Sequence, residues 1–389
     1  MKAYMRNRET NGNGYFWNAF AGLVNAGESV ILLMVVTRIT GLPDAGMLTI
    51  AFAVGNLMMT IGKFGVRSYQ STDVKEYFSF SDYFWTRCVT VGLMIVCSLA
   101  YTYFCVLEKG YDSKKVTVIL SVCFIYAVES LEDVFWGFYQ QKMVLDLGAK
   151  VFILRWMGIL SVFILLLLIR KNLQLSAVCS ALAGMTVFAV WNARVFRSFQ
   201  EKITFIRADA VRRIVRQCFP LCISSFLSFY VINASRYAID RHLPKEVQAC
   251  FGFIAMPVFV IQLLNGFLYQ PSLVQMSMEW NGGRMRSFRR RAVGQCMAAA
   301  VLTLVCLLGA YVCGIPVLSA MYDTDLKDYK LELLVLLTGG GMLAFAGYFN
   351  VLLTIMRKQE SMMYGYGAAA FLAFLFMNRV VKTYGVMGA

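Results

Sequence analysis

The sequence predicts an all-α polytopic membrane protein of two pseudo-repeated helical lobes, the first with six spans and the second with five. Three observations predict this. Hydrophobic residues make up 59% of the 389-residue chain and charged residues only 15%, a balance foreign to an ordinary soluble protein. The apolar residues gather into eleven stretches of about 17–25 residues, each long enough to cross a hydrocarbon core of roughly 30 Å as a helix. The two blocks also share landmarks: Leu42-Pro43 followed by Tyr69-Gln70 returns as Leu243-Pro244 followed by Tyr269-Gln270, at offsets of 201 and 200. Both blocks run in the same orientation, the plan of parallel repeats with a path between halves.

The first lobe covers residues 1–196, with spans near 15–37, 44–62, 84–107, 116–138, 148–169 and 175–196. Span one begins near Tyr15 with no small-residue cleavage pattern after it, so it reads as retained rather than as a signal peptide. Gly41-Leu42-Pro43-Asp44 supplies the turn into span two. Residues 197–216 join the lobes. Ile203, Ile206, Ala210 and Ile214 recur there at helical spacing with Arg207, Arg212, Arg213 and Arg216 between them. That pattern reads either as an amphipathic helix on the cytoplasmic surface or as a solvated basic linker. The second lobe, 217–389, has spans near 217–239, 247–275, 292–318, 331–355 and 362–378. Arg379 to Gly385 match Arg170-Lys171-Asn172-Leu173 after span five, which puts Val386 to Ala389 where Ser176 to Cys179 open span six. The expectation is a repeat that stops before its twelfth helix.

The net charge of +15 follows from topology. With these spans, 24 of the 37 Lys and Arg fall on the side of the N-terminus, and the positive-inside rule places that side in the cytoplasm. Basic loops against anionic headgroups account for the excess, so nucleic acid is not an expected partner. One histidine, His242, and eleven scattered cysteines offer no zinc-ligand spacing and no disulfide framework. No metal or organic cofactor is expected. No soluble domain and no phosphate-binding loop ending in Gly-Lys-Ser or Gly-Lys-Thr is present, so energy comes from an ion gradient, a partner or the substrate's own gradient.

Charges within the spans need reasons, since each costs at least about 2.5–3.5 kcal/mol on insertion scales. Glu28 sits near the middle of span one, at the edge of a polar stripe of Asn18, Gly22, Asn25 and Ser29. It is the first candidate for binding a coupling proton or sodium ion; the alternative is a buried interhelical hydrogen bond. Span four carries Glu129, Glu132 and Asp133. Glu129 and Asp133 share a face, either lining an inward-facing cavity or paired by cations such as Lys142. In span seven, Asn233, Arg236 and Asp240 present either an interfacial ion pair or an arginine facing a cleft. Arg38, at the outer end of span one, has the position of a snorkelling side chain. The stretch 62–87 interleaves Lys63, Arg67 and Lys75 with Tyr69, Gln70, Asp73 and Asp82. Such a cluster binds phosphate, Arg through a bidentate fork and Lys as a point charge, or simply anchors the cytoplasmic side with a helix start at Ser81.

These residues carry a resemblance. Arg67-Ser68-Tyr69-Gln70-x-x-Asp73, the following Tyr77-Phe78-Ser79-Phe80-Ser81-Asp82-Tyr83, Gln140-Gln141-Lys142 before span five, and Asn233-Ala234-Ser235-Arg236-Tyr237-Ala238-Ile239-Asp240 in span seven resemble bacterial polysaccharide-repeat-unit flippases. Those belong to the multidrug/oligosaccharidyl-lipid/polysaccharide (MOP) transporter superfamily. The resemblance implies two lobes around a central cavity that opens alternately to each side of the bacterial inner membrane. The cargo would be a polyprenyl-pyrophosphate-linked oligosaccharide for polysaccharides such as O-antigen. Membrane lipids, a polysaccharide polymerase and glycosyltransferases would be the partners. Carried over, Arg67, Arg38, Arg236 and Lys63 would face the pyrophosphate. Glu28, Glu129 and Asp133 would serve ion coupling, with H+ or Na+ as the ion, and Asn18, Asn25, Gln70, Asn233 and Asp240 would line the cavity. Two other classes compete. A cation-coupled drug or metabolite exporter of the same superfamily would favour an acidic cleft. A membrane enzyme acting on the same lipid would need a larger outer loop or an acidic catalytic cluster.

Overall fold

The computed structural model describes residues 12–72, 77–142, 144–199, 203–269, 276, 279–280, 282–356 and 360–389. Asp73, Lys75 and Gln270, which the sequence singled out, lie outside these. Among the described residues the secondary structure is helical, without strands. The chain divides into two compact units, Met1–Asn233 and Ala234–Ala389.

The first unit opens with α1 (Gly12–Thr40) and α2 (Leu42–Lys63), a short α3 (Val66–Thr72), and then α4 (Phe80–Lys109), α5 (Ser113–Gln141), α6 (Leu145–Arg170) and α7 (Leu173–Arg197). Among the described residues, ten helices are apolar and long enough to cross a membrane. The eleventh expected span is α5, 29 residues long and therefore about 44 Å. Lys114, Lys115, Glu129, Glu132 and Asp133 keep it out of the apolar count. It is nonetheless the hub, packing against α2, α3, α4 and α7.

Glycine lets α2 and α5 approach closely. A Cβ at Gly55 would lie 2.7 Å from the Tyr126 ring, and one at Gly62 would lie 2.7 Å from Ser130 Oγ. Small residues at the contact are how membrane helices gain packing where lipid gives no hydrophobic drive. Phe64 then ends α2 in the left-handed region (φ 47°), with its N–H on the Thr60 carbonyl at 2.9 Å, and Gly65 follows at φ 71°. This reversal sets Lys63 and Arg67 on either side of one tight turn. Next to it lies an aromatic cluster in which Phe80 stands 4.7 Å from Phe196 and 5.0 Å from Phe138 between ring centroids.

Of the two readings of residues 197–216, a surface helix or a solvated basic linker, the surface helix does not hold over residues 203–207. Residues 203–207 are not helical, and α8 (Ala208–His242) begins at Ala208 and runs on through span seven. The reason is local. Ser79 and Asp82 form a capping box at the start of α4, and Arg207 forks onto the same Asp82 carboxylate, its Nε at 2.8 Å. Thr204 adds two backbone bonds, donating to Ser81 Oγ at 2.9 Å and accepting from Trp85 Nε1 at 2.8 Å. The segment is pinned to α4, and Ile214 is fully buried in the first unit's core. The helix start is capped from Ser79 rather than from Ser81.

The second unit takes up the end of α8, then α9 (Lys245–Tyr269), α10 (Met285–Gly309), α11 (Ile315–Tyr322), α12 (Lys330–Ile355) and α13 (Glu360–Tyr384). A five-residue π segment, Ala310–Gly314, joins α10 to α11 without a break. Its packing repeats the first unit's: α9, α10 and α12 pair with one another as α2, α4 and α5 do. Glycines again mark the contacts, Gly340 against Val258 and Gly341 against Thr303. Tyr322 stacks on Phe253 with centroids 4.0 Å apart. Glu279 receives Arg291 at 3.0 Å and Ser287 at 2.9 Å, and the Arg291 guanidinium holds its carboxyl below the usual carboxylate range.

Candidate functional site

The charged residues of α5 assemble a network within the first unit. Glu129 and Glu132 lie three apart and Asp133 four beyond Glu129, so all three share one stretch of the helix surface. Glu129 Oε1 meets Lys63 Nζ at 2.9 Å and Glu129 Oε2 meets Arg155 Nη2 at 3.1 Å. Arg155 Nε also donates to Glu132 at 2.8 Å. Asp133 Oδ1 meets Arg67 Nη1 at 3.4 Å, and its Oδ2 meets Arg87 Nη2 at 2.8 Å. Three carboxylates thus face four cations.

The cations are of two kinds. The side chains of Arg87 and Arg155 are 0% exposed. Those of Lys63 and Arg67 are 33% and 32% exposed. Arg87 also donates to the carbonyls of Gly62 at 2.8 Å and Lys63 at 2.5 Å, which are left without intrahelical donors at the end of α2. It therefore ties three helices together. Arg67 lies over the Trp136 ring at 4.7 Å and donates to Gln140 at 3.3 Å.

Beside this network is a cavity of about 250 Å³, lined by Asn18, Gly22 and Asn25 of α1, Lys63 and Arg67, the three carboxylates, and Trp136 and Phe152. The volume lies below the roughly 300–1,000 Å³ of pockets that enclose a drug-sized ligand; it suits a small charged group rather than a whole glycan. Glu28 is buried nearby on α1. The Tyr126 hydroxyl donates to its Oε1 at 3.3 Å and itself accepts from Asn56 at 3.4 Å. Glu28 Oε2 has no hydrogen-bond partner among the described residues.

The structure therefore brings together Lys63, Arg67, Glu129, Asp133, Asn18 and Asn25. Glu129 and Asp133 both line the cavity and are paired, through Lys63, Arg155, Arg67 and Arg87. Lys142 stands at the C-terminal cap of α5, its ammonium 5.7 Å from the Phe138 ring centroid. Arg38 is in the last turn of α1, ten residues and so about 15 Å beyond Glu28, and is not among the cavity-lining residues. Gln70 does not line it either. It is fully buried against α5, fitting over Gly137, and its carbonyl accepts from Gln141 at 2.9 Å. Asn233 bonds within α8, to the Phe229 carbonyl at 3.0 Å. Arg236 and Asp240 belong to the second unit.

Arg87 and Arg155 are not among the residues the sequence singles out. Yet α4 begins at Phe80 and α6 at Leu145, which places both arginines one or more turns inside a helix. The available signal was balance: buried carboxylates on one span call for cations on its neighbours.

No protein-family model and no curated protein sequence matches the chain. Solved structures do. The chain is similar to an inward-facing multidrug resistance MATE family transporter of the MOP superfamily, with a TM-score of 0.73 at 10% identity over 93% of this chain and 89% of that one. Against the eukaryotic MATE transporter AtDTX14 the TM-score is 0.59 at 13% identity, over 96% and 93%. Against the Vibrio cholerae MATE transporter VcmN in its bent form it is 0.56 at 12%, over 97% and 91%. These likenesses establish an all-helical, multi-pass membrane fold of the MATE type.

Proposed function

We propose that this chain is an alternating-access flippase that moves polyprenyl-pyrophosphate-linked oligosaccharide from the cytoplasmic to the outer leaflet, coupled to H+ or Na+ at Glu28. The observation that carries this reading is the pair Lys63 and Arg67. Both are one-third exposed and line a cavity too small for a glycan but suited to an anionic group. A carrier does no bond chemistry; it binds its cargo differently in two states. The pyrophosphate is the invariant part of such a cargo, and an arginine fork beside a lysine is the chemistry that grips it. Arg38 and Arg236 would act elsewhere along the path, and the N-terminus would be cytoplasmic.

The test is to deplete the protein in its host and label accessible lipid-linked sugars on intact cells. Outer-leaflet precursor and surface polysaccharide should both fall. If both persist unchanged, the flippase reading is overturned.

One observation favours a second reading, a cation-coupled exporter of drugs or metabolites. The same cavity is lined by Glu129, Glu132 and Asp133, and carboxylates suit cationic compounds. Efflux of a cationic dye from energised vesicles, lost in Glu129→Gln, would support it against the first.

A further inference from the structure

The two exposed cations are built into matching arms. Lys63 takes one oxygen of Glu129 and buried Arg155 takes the other. Arg67 takes one oxygen of Asp133 and buried Arg87 takes the other. Each arm therefore reads exposed cation, carboxylate, buried arginine. Breaking a buried ion pair is costly when it strands a charge. In this arrangement the exposed cation can leave without leaving its carboxylate unpaired, because Asp133 keeps Arg87 and Glu129 keeps Arg155, which it shares with Glu132.

We infer that Lys63 and Arg67 are releasable clamps, held on Glu129 and Asp133 until a phosphate or pyrophosphate group enters the cavity and takes both cations. Arg155 stays behind on Glu129 and Glu132, and Arg87 on Asp133. The inference rests on the flippase reading and names the group that site grips.

Three further details fit. The Arg67–Asp133 contact is long at 3.4 Å, while Arg87–Asp133 is 2.8 Å, so the exposed partner is the weaker one. Arg67 rests on the Trp136 ring, whose face holds a guanidinium loosely and without a fixed direction. Trp136 also lines the cavity, and its buried Nε1 has no acceptor among the described residues.

Glu129→Gln is the informative change, because Arg155 keeps Glu132 at 2.8 Å while Lys63 loses the carboxylate that competes with an incoming anion. The probe is inorganic pyrophosphate, titrated calorimetrically into the full chain in nanodiscs at fixed ionic strength. Glu129→Gln should bind it about two- to fivefold more tightly than wild type, the range expected from removing a partly exposed pair. Lys63→Gln in the same background should erase the gain. A readout in the unmodified network accompanies this: tryptophan emission should change on adding pyrophosphate and the change should vanish in Trp136→Phe.

If pyrophosphate binds, but Glu129→Gln binds it equally or more weakly, or emission from Trp136 stays constant, the release idea is overturned and the flippase reading stands. If Glu129→Gln does not fold, the emission experiment on wild type decides alone. If wild type binds no pyrophosphate, the clamp idea is overturned. Translocation of lipid-linked oligosaccharide in proteoliposomes, measured on the same preparation, then shows whether the flippase reading falls with it.

Discussion

Arg87 and Asp133 meet at 2.8 Å with the guanidinium wholly buried, and the same guanidinium caps the carbonyl end of α2. One side chain therefore satisfies a charge on α5 and a helix terminus on α2. Replacing it leaves Asp133 with the longer contact to Arg67 and takes a donor from the Lys63 carbonyl, while Thr90 still donates to the Gly62 carbonyl.

Arg87→Met should destabilise the first unit by about 3–5 kcal/mol, the range for removing one partner of a buried pair. Arg87→Lys should rescue little, because one ammonium cannot reproduce a planar fork spread over two helices. Thermal unfolding of the purified protein in detergent, read by circular dichroism, checks both.

Lys63→Gln and Arg155→Gln both remove a partner of Glu129, yet their costs should differ. Lys63 is one-third exposed, so solvent screening limits its loss to about 1 kcal/mol or less. Arg155 is fully buried and serves Glu129 and Glu132 together, so its loss should again reach about 3–5 kcal/mol. Equal destabilisation of the two variants would contradict the division into exposed and buried cations.

Gly62→Ala should cost about 1–3 kcal/mol through overpacking. The new methyl would fall 2.6 Å from Met94 Sδ and 2.7 Å from Ser130 Oγ. Gly22→Ala, where nothing lies within 4 Å, is the matched control and should be near neutral. The comparison needs only the two melting temperatures.

Asp82→Asn weakens both the capping box and the fork from Arg207. Loss of a cap costs about 0.5–2 kcal/mol, and exposed Arg207 adds little. The larger effect should be local: amide deuterium exchange over residues 203–207 should accelerate while the centre of α4 stays protected. Unchanged exchange there would mean the segment is held by other contacts.

The membrane fold was legible because lipid imposes a length and an apolarity that any reader of the chain can measure. Leu42-Pro43 and Leu243-Pro244 marked the repeat, and the pairing of helices follows the same repeat in each unit. The candidate site was half legible. Glu129, Asp133, Lys63 and Arg67 stood out as charges in or beside apolar runs. Their partnership did not, since Lys63 and Glu129 are 66 residues apart and no local spacing encodes that meeting. Arg87 and Arg155 fall inside the expected spans 84–107 and 148–169, but their carboxylate partners Asp133 and Glu132 lie 46 and 23 residues away in sequence, so no local spacing marks the pairs. The basic segment before span seven was legible only in part: Ile203 and Ile206 keep helical spacing, but contacts to Ser81 and Asp82 accompany a non-helical course over residues 203–207.

The charge carried by α5 has a consequence for biogenesis. Alone in hydrocarbon, its three carboxylates would cost on the order of 8–10 kcal/mol. Two of the helices that neutralise them, α2 and α4, are synthesised before it, and α6 with Arg155 comes after. The ribosome therefore delivers α5 when only part of its counter-charge exists. On this charge balance, α5 is expected to partition stably only once α6 has followed it, with these spans entering the bilayer as a group.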